Sequence, residues 1–240
     1  MSRLIWDAIG EHFYELGVEQ GVLYPVSNTG TYPTGVAWNG LTNVNESPSG
    51  ADANKQWADN LNYLTLYGAE EYGGNIEAFT YPDEFMECDG SIAVVPGVTI
   101  GQQPRRGFGL SYKTKVGNDT VGQELAYKIH LVYGCRASPS ERSYETMNDS
   151  PEPITFSWEL TTTPVAVPGY KPTALITIDS RDFTTTAARK ALSDFEDIIY
   201  GCDAVEADAQ NGIEAKEAKE ARLPLPSEVI QLLTVAGVTG

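Results

Sequence analysis

The chain has 240 residues, a formal net charge of −17 at neutral pH, 41% hydrophobic residues and 20% charged ones. That balance argues against a disordered chain and against a protein that grips phosphate backbones, and it supplies enough apolar material for a sizeable core. The only histidines are His12 and His130 and the only cysteines Cys88, Cys135 and Cys202, and none has the spacing of a metal site or a nucleophile–base pair.

The charge is uneven. Residues 1–104 carry fourteen acidic residues against Arg3 and Lys55, whereas residues 105–240 carry nineteen against fourteen basic ones. An acidic first half repels nucleic acid and anionic membranes, or simply keeps the protein soluble. Three widely separated cysteines argue for reduced thiols rather than a disulfide framework. The first residues lack a basic stretch followed by an apolar one, and no apolar run approaches the ~20 residues that span a bilayer, so the expected site of synthesis is a cytoplasm. On that expectation the sequons at Asn45, Asn118 and Asn148 are chance matches.

In chain order, residues 12–18 and 20–26 read as two short strands or one strand bent at Gly17. Pro25, Gly30, Pro33 and Gly35 then mark a loop. Residues 35–44 alternate as a half-buried strand, and residues 45–54 are loop formers expected to project. A strand is predicted over 56–67, with Leu61, Tyr63 and Thr65 on one face and Asn62, Leu64 and Leu66 on the other. A short turn or helical piece at 69–72, a strand at 74–81 and an acidic turn at 83–90 follow. Further strands are predicted at 108–116, 125–136, 154–165 and 173–178. The first two are separated by a hairpin-like break at Gly117, Asn118 and Asp119, and a polar loop covers 138–153.

One helix is predicted over 187–200, capped within Thr184–Thr186 and carrying Ala191, Leu192, Phe195, Ile198 and Ile199 on one stripe, with Gly201 as its stop. Residues 203–222 suit a solvated helix or a mobile linker, anchored by Val205 and Ile213 and weakened as a helix by Gly212. Leu223 to Pro226 force an extended turn, and residues 229–233 form an apolar anchor for the domain or a neighbouring subunit. The expected fold class is mainly β, about ten strands with a docked helix near 185–200. Residues 1–202 form the β domain and 203–240 a charged linker and C-terminal arm.

No catalytic constellation emerges. Gly107-Phe108-Gly109 precedes a strand pattern, not a helix, so it lacks the setting of a dinucleotide loop. Asp83, Glu84, Glu87 and Asp89 could attract calcium but lack the EF-hand spacing. Trp38, Trp57 and Trp158 suit core burial or a sugar-stacking face equally. His12 and His130 each stand alone, and Cys88 and Cys135 read as small core residues. Arg105, Arg106, Lys113 and Lys115 form the main basic patch, fit for an anion or for the acidic half of an adjacent subunit. The chain is therefore expected not to be an enzyme and to need no cofactor.

Several runs carry a resemblance: Gly35-Val-Ala-Trp-Asn-Gly-Leu-Thr, Tyr81-Pro-Asp-Glu-Phe, Gly97-Val-Thr-Ile-Gly-Gln, Gly117-Asn-Asp-Thr, Tyr127-Lys-Ile-His-Leu-Val-Tyr-Gly and Ile154-Thr-Phe-Ser-Trp-Glu-Leu-Thr-Thr-Thr-Pro. Over about residues 6–202, and again at 222–229, the chain resembles the major tail tube proteins of long-tailed, siphovirus-type bacteriophages. The resemblance implies a β-sandwich or half-barrel flanked by a helix. Subunits would form stacked, hexameric rings around a DNA-conducting lumen, with long loops and terminal arms bridging the rings. It implies partnership with further copies of the chain and with tail terminator, tape measure and baseplate or distal tail proteins. It also implies passage of genomic DNA without specific binding, no membrane, assembly in the host cytoplasm and residence in the virion tail. Glu46, Asp52, Asp59, Glu141, Glu145 and Asp149 are the candidates for an acidic lumen or rim. The alternatives are another virion protein (tail terminator, contractile inner tube or capsid decoration) and a carbohydrate-binding β-sandwich.

Overall fold

The structure is a computed structural model that describes residues 3–147, 149–206 and 215–234. Among these the fold is mainly β, as expected. The chain begins with β1 (Tyr14–Pro25), one strand made irregular by Gly17 (φ 71°) and Gln20 (φ 51°), and pairs it with β2 (Val36–Trp38). The turn at Asn39 and Gly40 leads into β3 (Leu41–Glu46). Residues predicted as one strand over 35–44 are thus two, because Gly40 adopts φ 78°, a left-handed conformation that favours glycine.

From β3 the chain runs out through β4 (Ser49–Gly50) and β5 (Ala53–Ala58) and returns through β6 (Leu61–Tyr67), β7 (Glu70–Glu71) and β8 (Gly73–Ala78). These pair consecutively, β3 with β8, β4 with β7 and β5 with β6, as one long two-stranded arm. The strand predicted over 56–67 is therefore a hairpin. Its turn is Asp59 and Asn60, at φ 50° and 62°, residue types that tolerate the left-handed region.

The acidic segment predicted as a turn holds a short helix, α1 (Phe85–Asp89), whose Phe85 and Cys88 are buried. The hairpin β9 (Ile92–Val95) and β10 (Val98–Ile100) follows, then the long strands β11 (Phe108–Asn118) and β12 (Gly122–Ala137), then β13 (Phe156–Thr162) and β14 (Leu175–Asp179). Helices α2 (Thr186–Ile199) and α3 (Pro226–Leu233) complete the described chain. Helix α2 matches its prediction, with Thr185 as the cap accepting from the Ala188 amide at 3.1 Å. Helix α3 is an addition: the predicted apolar anchor is helical, started by Pro226.

The main sheet has the order β2-β1-β11-β12-β13-β8-β3, with β14 also paired to β12. Its two end strands, β2 and β3, are joined only by the turn at Gly40, so the sheet curls until its ends meet: a half-barrel closing on itself. Beside the seam Trp38 Nε1 donates to the Thr80 carbonyl at 3.0 Å, and the Phe79 amide donates to the Gly40 carbonyl at 2.8 Å, continuing the pairing of β3 with β8.

Alternation along the strands builds two cores on opposite faces. Inside the curl, Leu23, Leu110, Val132, Cys135 and Leu160 surround an aromatic cluster in which Phe85 lies 4.6 Å from Trp38 and 5.0 Å from Trp158. Outside it, Val22, Tyr24, Ile129, Leu131, Tyr133 and Ile178 meet Leu192, Phe195 and Ile199 of α2, with Leu223 and with Val229 of α3. Each such side chain contributes roughly 1.5–3 kcal/mol by leaving water.

Gly134 exchanges the two faces. Tyr133 faces the outer core and Cys135 the inner one, which strict alternation forbids. The positive φ of Gly134 (61°) inserts the irregularity, and a side chain there would meet the Thr163 carbonyl at 2.1 Å. Before it β12 pairs with β14, and after it with β13.

The described part of 203–222 is neither a helix nor unpaired. Cys202 pairs with Lys219 and Val205 with Lys216 in antiparallel bridges. The expectations for Gly212, Ile213 and Asn148 lie outside the described residues. No helix among the described residues is long and apolar enough to cross a membrane.

Candidate assembly surface

Among the described residues the arm is the longest paired element left exposed on both faces. Every residue of β5 is exposed, and so is every residue of β6 except Thr65, which is half-buried. Cross-strand pairing sets Tyr67 opposite Ala53 and Thr65 opposite Lys55 on one face, and Leu66 opposite Asn54 and Leu64 opposite Gln56 on the other. Both faces are open along most of their length. Trp57 is 67% exposed, Leu61 70%, Tyr63 74% and Tyr67 72%. A two-stranded ribbon is marginal in water by itself, and contiguous exposed apolar area of this kind marks a contact surface.

Of the two readings left open for the tryptophans, core burial holds for Trp38 and Trp158, whereas Trp57 stands exposed. The missed signal was the Asp59–Asn60 turn. Without it Trp57 seems to lie inside one long strand; with it Trp57 stands beside the tip.

The arm is also acidic: Glu46, Asp52, Asp59, Glu70 and Glu71 face the single Lys55 over residues 45–75. Of the six carboxylates named from sequence, Glu46, Asp52 and Asp59 therefore share this ribbon. Asp52 is exposed between β4 and β5, and Asp59 sits at the tip. Glu141, Glu145 and Asp149 lie exposed in the long irregular segment that follows β12. Glu46 differs from the others, because at the root of the arm it accepts a hydrogen bond from the Tyr112 hydroxyl.

Apolar exposure recurs elsewhere. Leu4, Ile5, Trp6 and Ile9 precede β1 without a strand partner, and Val94, Val95 and Val98 lie exposed on the β9–β10 hairpin.

The basic patch turns out to be engaged within the chain. Arg106 pairs with Glu87 at 3.0 Å and donates to the Val26 carbonyl, and Arg105 reaches the Ala137 carbonyl at 3.0 Å and Asp89 at 3.5 Å. Lys115 meets Glu124 at 3.3 Å, and Lys113 lies over the Tyr127 ring at 3.8 Å. The arginines thus occupy the acidic segment around α1, where Asp89 also pairs with Arg142. Among the described residues no group of three or more His, Cys, Asp or Glu side chains gathers as a metal site.

Cys88 and Cys135 are buried, as predicted. Burial pushes the Cys88 thiol up to about 12 and raises that of Cys135 as well, so neither is a ready nucleophile. His130 is a buried strand residue bonded to Thr114, while His12 is exposed between Asp7 and Asp119.

No protein-family model and no curated protein matches the chain. Among solved structures it is similar to a chain of the anti-feeding prophage tube-terminating cap, at 10% identity and a TM-score of 0.31, over 75% of this chain and 96% of that one. It is similar also to a chain of the anti-feeding prophage baseplate, at 9% identity and a TM-score of 0.31, over 73% and 97%. A third is a chain of the sheath-tube complex of an extracellular contractile injection system, at 12% identity and a TM-score of 0.29, over 73% and 94%. At such TM-scores two chains need not superpose as one fold.

Proposed function

We propose that this protein is a structural subunit of a phage tail, the building block of a tail tube, and not an enzyme. The observation that carries the proposal is the arm: an exposed, apolar, two-stranded ribbon thrown out from a half-barrel whose own core is already filled. Such a ribbon gains little by existing alone and much by docking on another copy, where each aromatic ring removes an area on the order of 150–250 Å² from water.

Copies of the half-barrel arranged in stacked, hexameric rings make a wall, and the arm bridges each ring to the next. Extended strands joined around such a ring give a tube about 80–100 Å across. The carboxylates at Asp52, Asp59, Glu141, Glu145 and Asp149 line the lumen or its rim, where like charge keeps passing DNA from adhering. The partners are further copies, then terminator, tape measure and baseplate or distal tail proteins, in a virion tail assembled in the host cytoplasm. Assembly is tested by electron microscopy of concentrated protein alone and with tail assembly factors, which should show rings or tubes.

The exposed aromatic residues of the arm favour one other reading, a carbohydrate-binding surface built on Trp57, Tyr63 and Tyr67. A quench or shift of tryptophan fluorescence on titrating oligosaccharides into the monomer distinguishes it. The tail reading expects no change.

A further inference from the structure

Residues 3–9, ahead of β1, are mostly apolar and exposed. Leu4, Ile5, Trp6 and Ile9 all face water, Trp6 by 70%. The segment is nevertheless anchored at one point, on the turn between β11 and β12. The Gly10 amide donates to both carboxylate oxygens of Asp119, at 3.0 and 3.1 Å, and the Asn118 side-chain amide donates to the Gly10 carbonyl at 3.0 Å. His12 stands 3.3 Å from the same carboxylate. Asn118 is itself fixed, because its side-chain oxygen accepts from the Val121 amide at 2.8 Å. This clasp sets where the segment leaves the domain.

An apolar cleft of about 960 Å³ opens between the root of the arm and the stretch joining β13 to β14, lined by Tyr67, Tyr72, Pro172 and Leu175. Two exposed charges border it, Glu70 from the arm and Lys171 from the joining stretch, and neither has an ion-pair partner among the described residues. The leading segment has matching features. Arg3 and Asp7 flank Leu4, Ile5 and Trp6; Arg3 is unpaired among the described residues, and Asp7 is met only by His12, at 3.7 Å. Each surface thus offers one cation, one acid and an apolar middle, so the two are complementary.

The segment cannot fill this cleft in its own chain. The clasp lies where Asn118 pairs with Gly122, whereas Leu175 of the cleft pairs with Val132. Residues 122 to 132 are continuous strand and cover roughly 33 Å. From Gly10 back to Trp6 the chain extends at most about 14 Å. The contact is made between copies. Because the two surfaces differ, it is head-to-tail, and each copy keeps one segment and one cleft for further copies.

We propose that the leading segment of one copy docks in this cleft of a second copy, with Leu4, Ile5 and Trp6 on the apolar lining, Arg3 at Glu70 and Asp7 at Lys171. The proposal rests on the reading of the chain as a self-assembling subunit, and it is tested by where the contact falls.

The experiment is photo-crosslinking of the full chain. A benzophenone is attached at Ile5→Cys in a Cys202→Ser background, which leaves only the buried Cys88 and Cys135 as other thiols. Mixing ¹⁵N-enriched and ordinary copies lets mass spectrometry separate products between copies from products within one. Products between copies should map to residues 67–72 and 171–175. Reversing the cleft charges, Glu70→Lys with Lys171→Glu, should lower their yield roughly fivefold to tenfold, and adding Arg3→Glu with Asp7→Lys should restore it. Trp6→Ser, an exposed change that leaves folding intact, should lower the yield by about tenfold or more, and it decides alone if the charge-reversed chain does not fold. Cleft products within one copy, or a yield indifferent to these variants, overturn the proposal. Products between copies centred on another surface overturn it and leave the tail-subunit reading standing. Absence of any product between copies also overturns it, and microscopy of the same sample then judges the tail-subunit reading separately: rings or tubes keep it and dispersed monomers do not.

Discussion

The hydroxyl of Tyr24, on β1, donates to the carbonyl of Ile199, the last residue of α2, at 2.6 Å, and shares a second hydrogen bond with Ser111 at 3.1 Å. Both contacts are buried. They fasten the C-terminal end of the helix to the sheet and satisfy a carbonyl that has no partner inside the helix. Tyr24→Phe removes the hydroxyl and leaves two buried polar groups unpaired. It should cost about 1–3 kcal/mol, and at about 2–4 °C per kcal/mol for a chain of this size the thermal midpoint should fall by several degrees. Thermal unfolding followed by circular dichroism checks this; an unchanged midpoint contradicts it.

The arm should separate folding from assembly. Trp57→Ser, Tyr63→Ser and Tyr67→Ser remove exposed side chains, so each should leave monomer stability within about 0.5 kcal/mol of the parent. The triple variant should nevertheless lose higher-order association. Denaturant melts paired with sedimentation velocity read the two effects side by side.

The carboxylates divide by their contacts. Reversing Asp52, Asp59, Glu141, Glu145 and Asp149 to Lys should leave rings intact and slow DNA ejection from particles built with the variant. Glu46→Lys should behave differently, because it takes the acceptor from buried Tyr112. A destabilisation of about 1–3 kcal/mol is expected from that orphaned hydroxyl, seen as a lower unfolding midpoint in the isolated chain.

Global stability should depend on pH through His130. Its folded-state value lies below the unfolded one because burial penalises the charged ring. The stability it contributes is thus present in full above the unfolded value, about 6.5, and is lost as pH falls toward the folded value. Urea midpoints measured from pH 8 to pH 5 should decline over that interval, and the decline should be shallower in His130→Gln.

The thiols offer a check on the two cores. Cys88 and Cys135 are buried and Cys202 is only half-buried. An aromatic disulfide reagent should therefore titrate one thiol in the native protein and three in denaturant. Three fast thiols in the native protein would place the inner core elsewhere.

The elements legible in the sequence were those fixed by local patterns. The stripe of Leu192, Phe195 and Ile199 announces α2, and the long apolar runs announce β11 and β12. Turns without a strong glycine signal were not legible. Asp59–Asn60 reverses the chain between residues that alternate on both sides, so the pattern runs straight through it. At Gly40 the signal was present, but what matters there is topological: the turn joins the two ends of one curled sheet, and the pairing of β2 with β1 and of β3 with β8 is set by residues far apart in sequence. The same non-locality hid the partners of Arg105 and Arg106 and the contact of Glu46 with Tyr112. The acidic character of the first half was plain from composition. That three of its carboxylates lie along one projecting ribbon was not.

The most direct measurement is negative-stain microscopy of the concentrated wild-type chain beside the Trp57, Tyr63 and Tyr67 triple variant, each with and without tail assembly factors. The arm-mediated tube predicts rings or tubes about 80–100 Å wide from the wild type and dispersed particles from the variant. Dispersed monomers from the wild type even with those factors, or tubes from the variant indistinguishable from wild type, would contradict it.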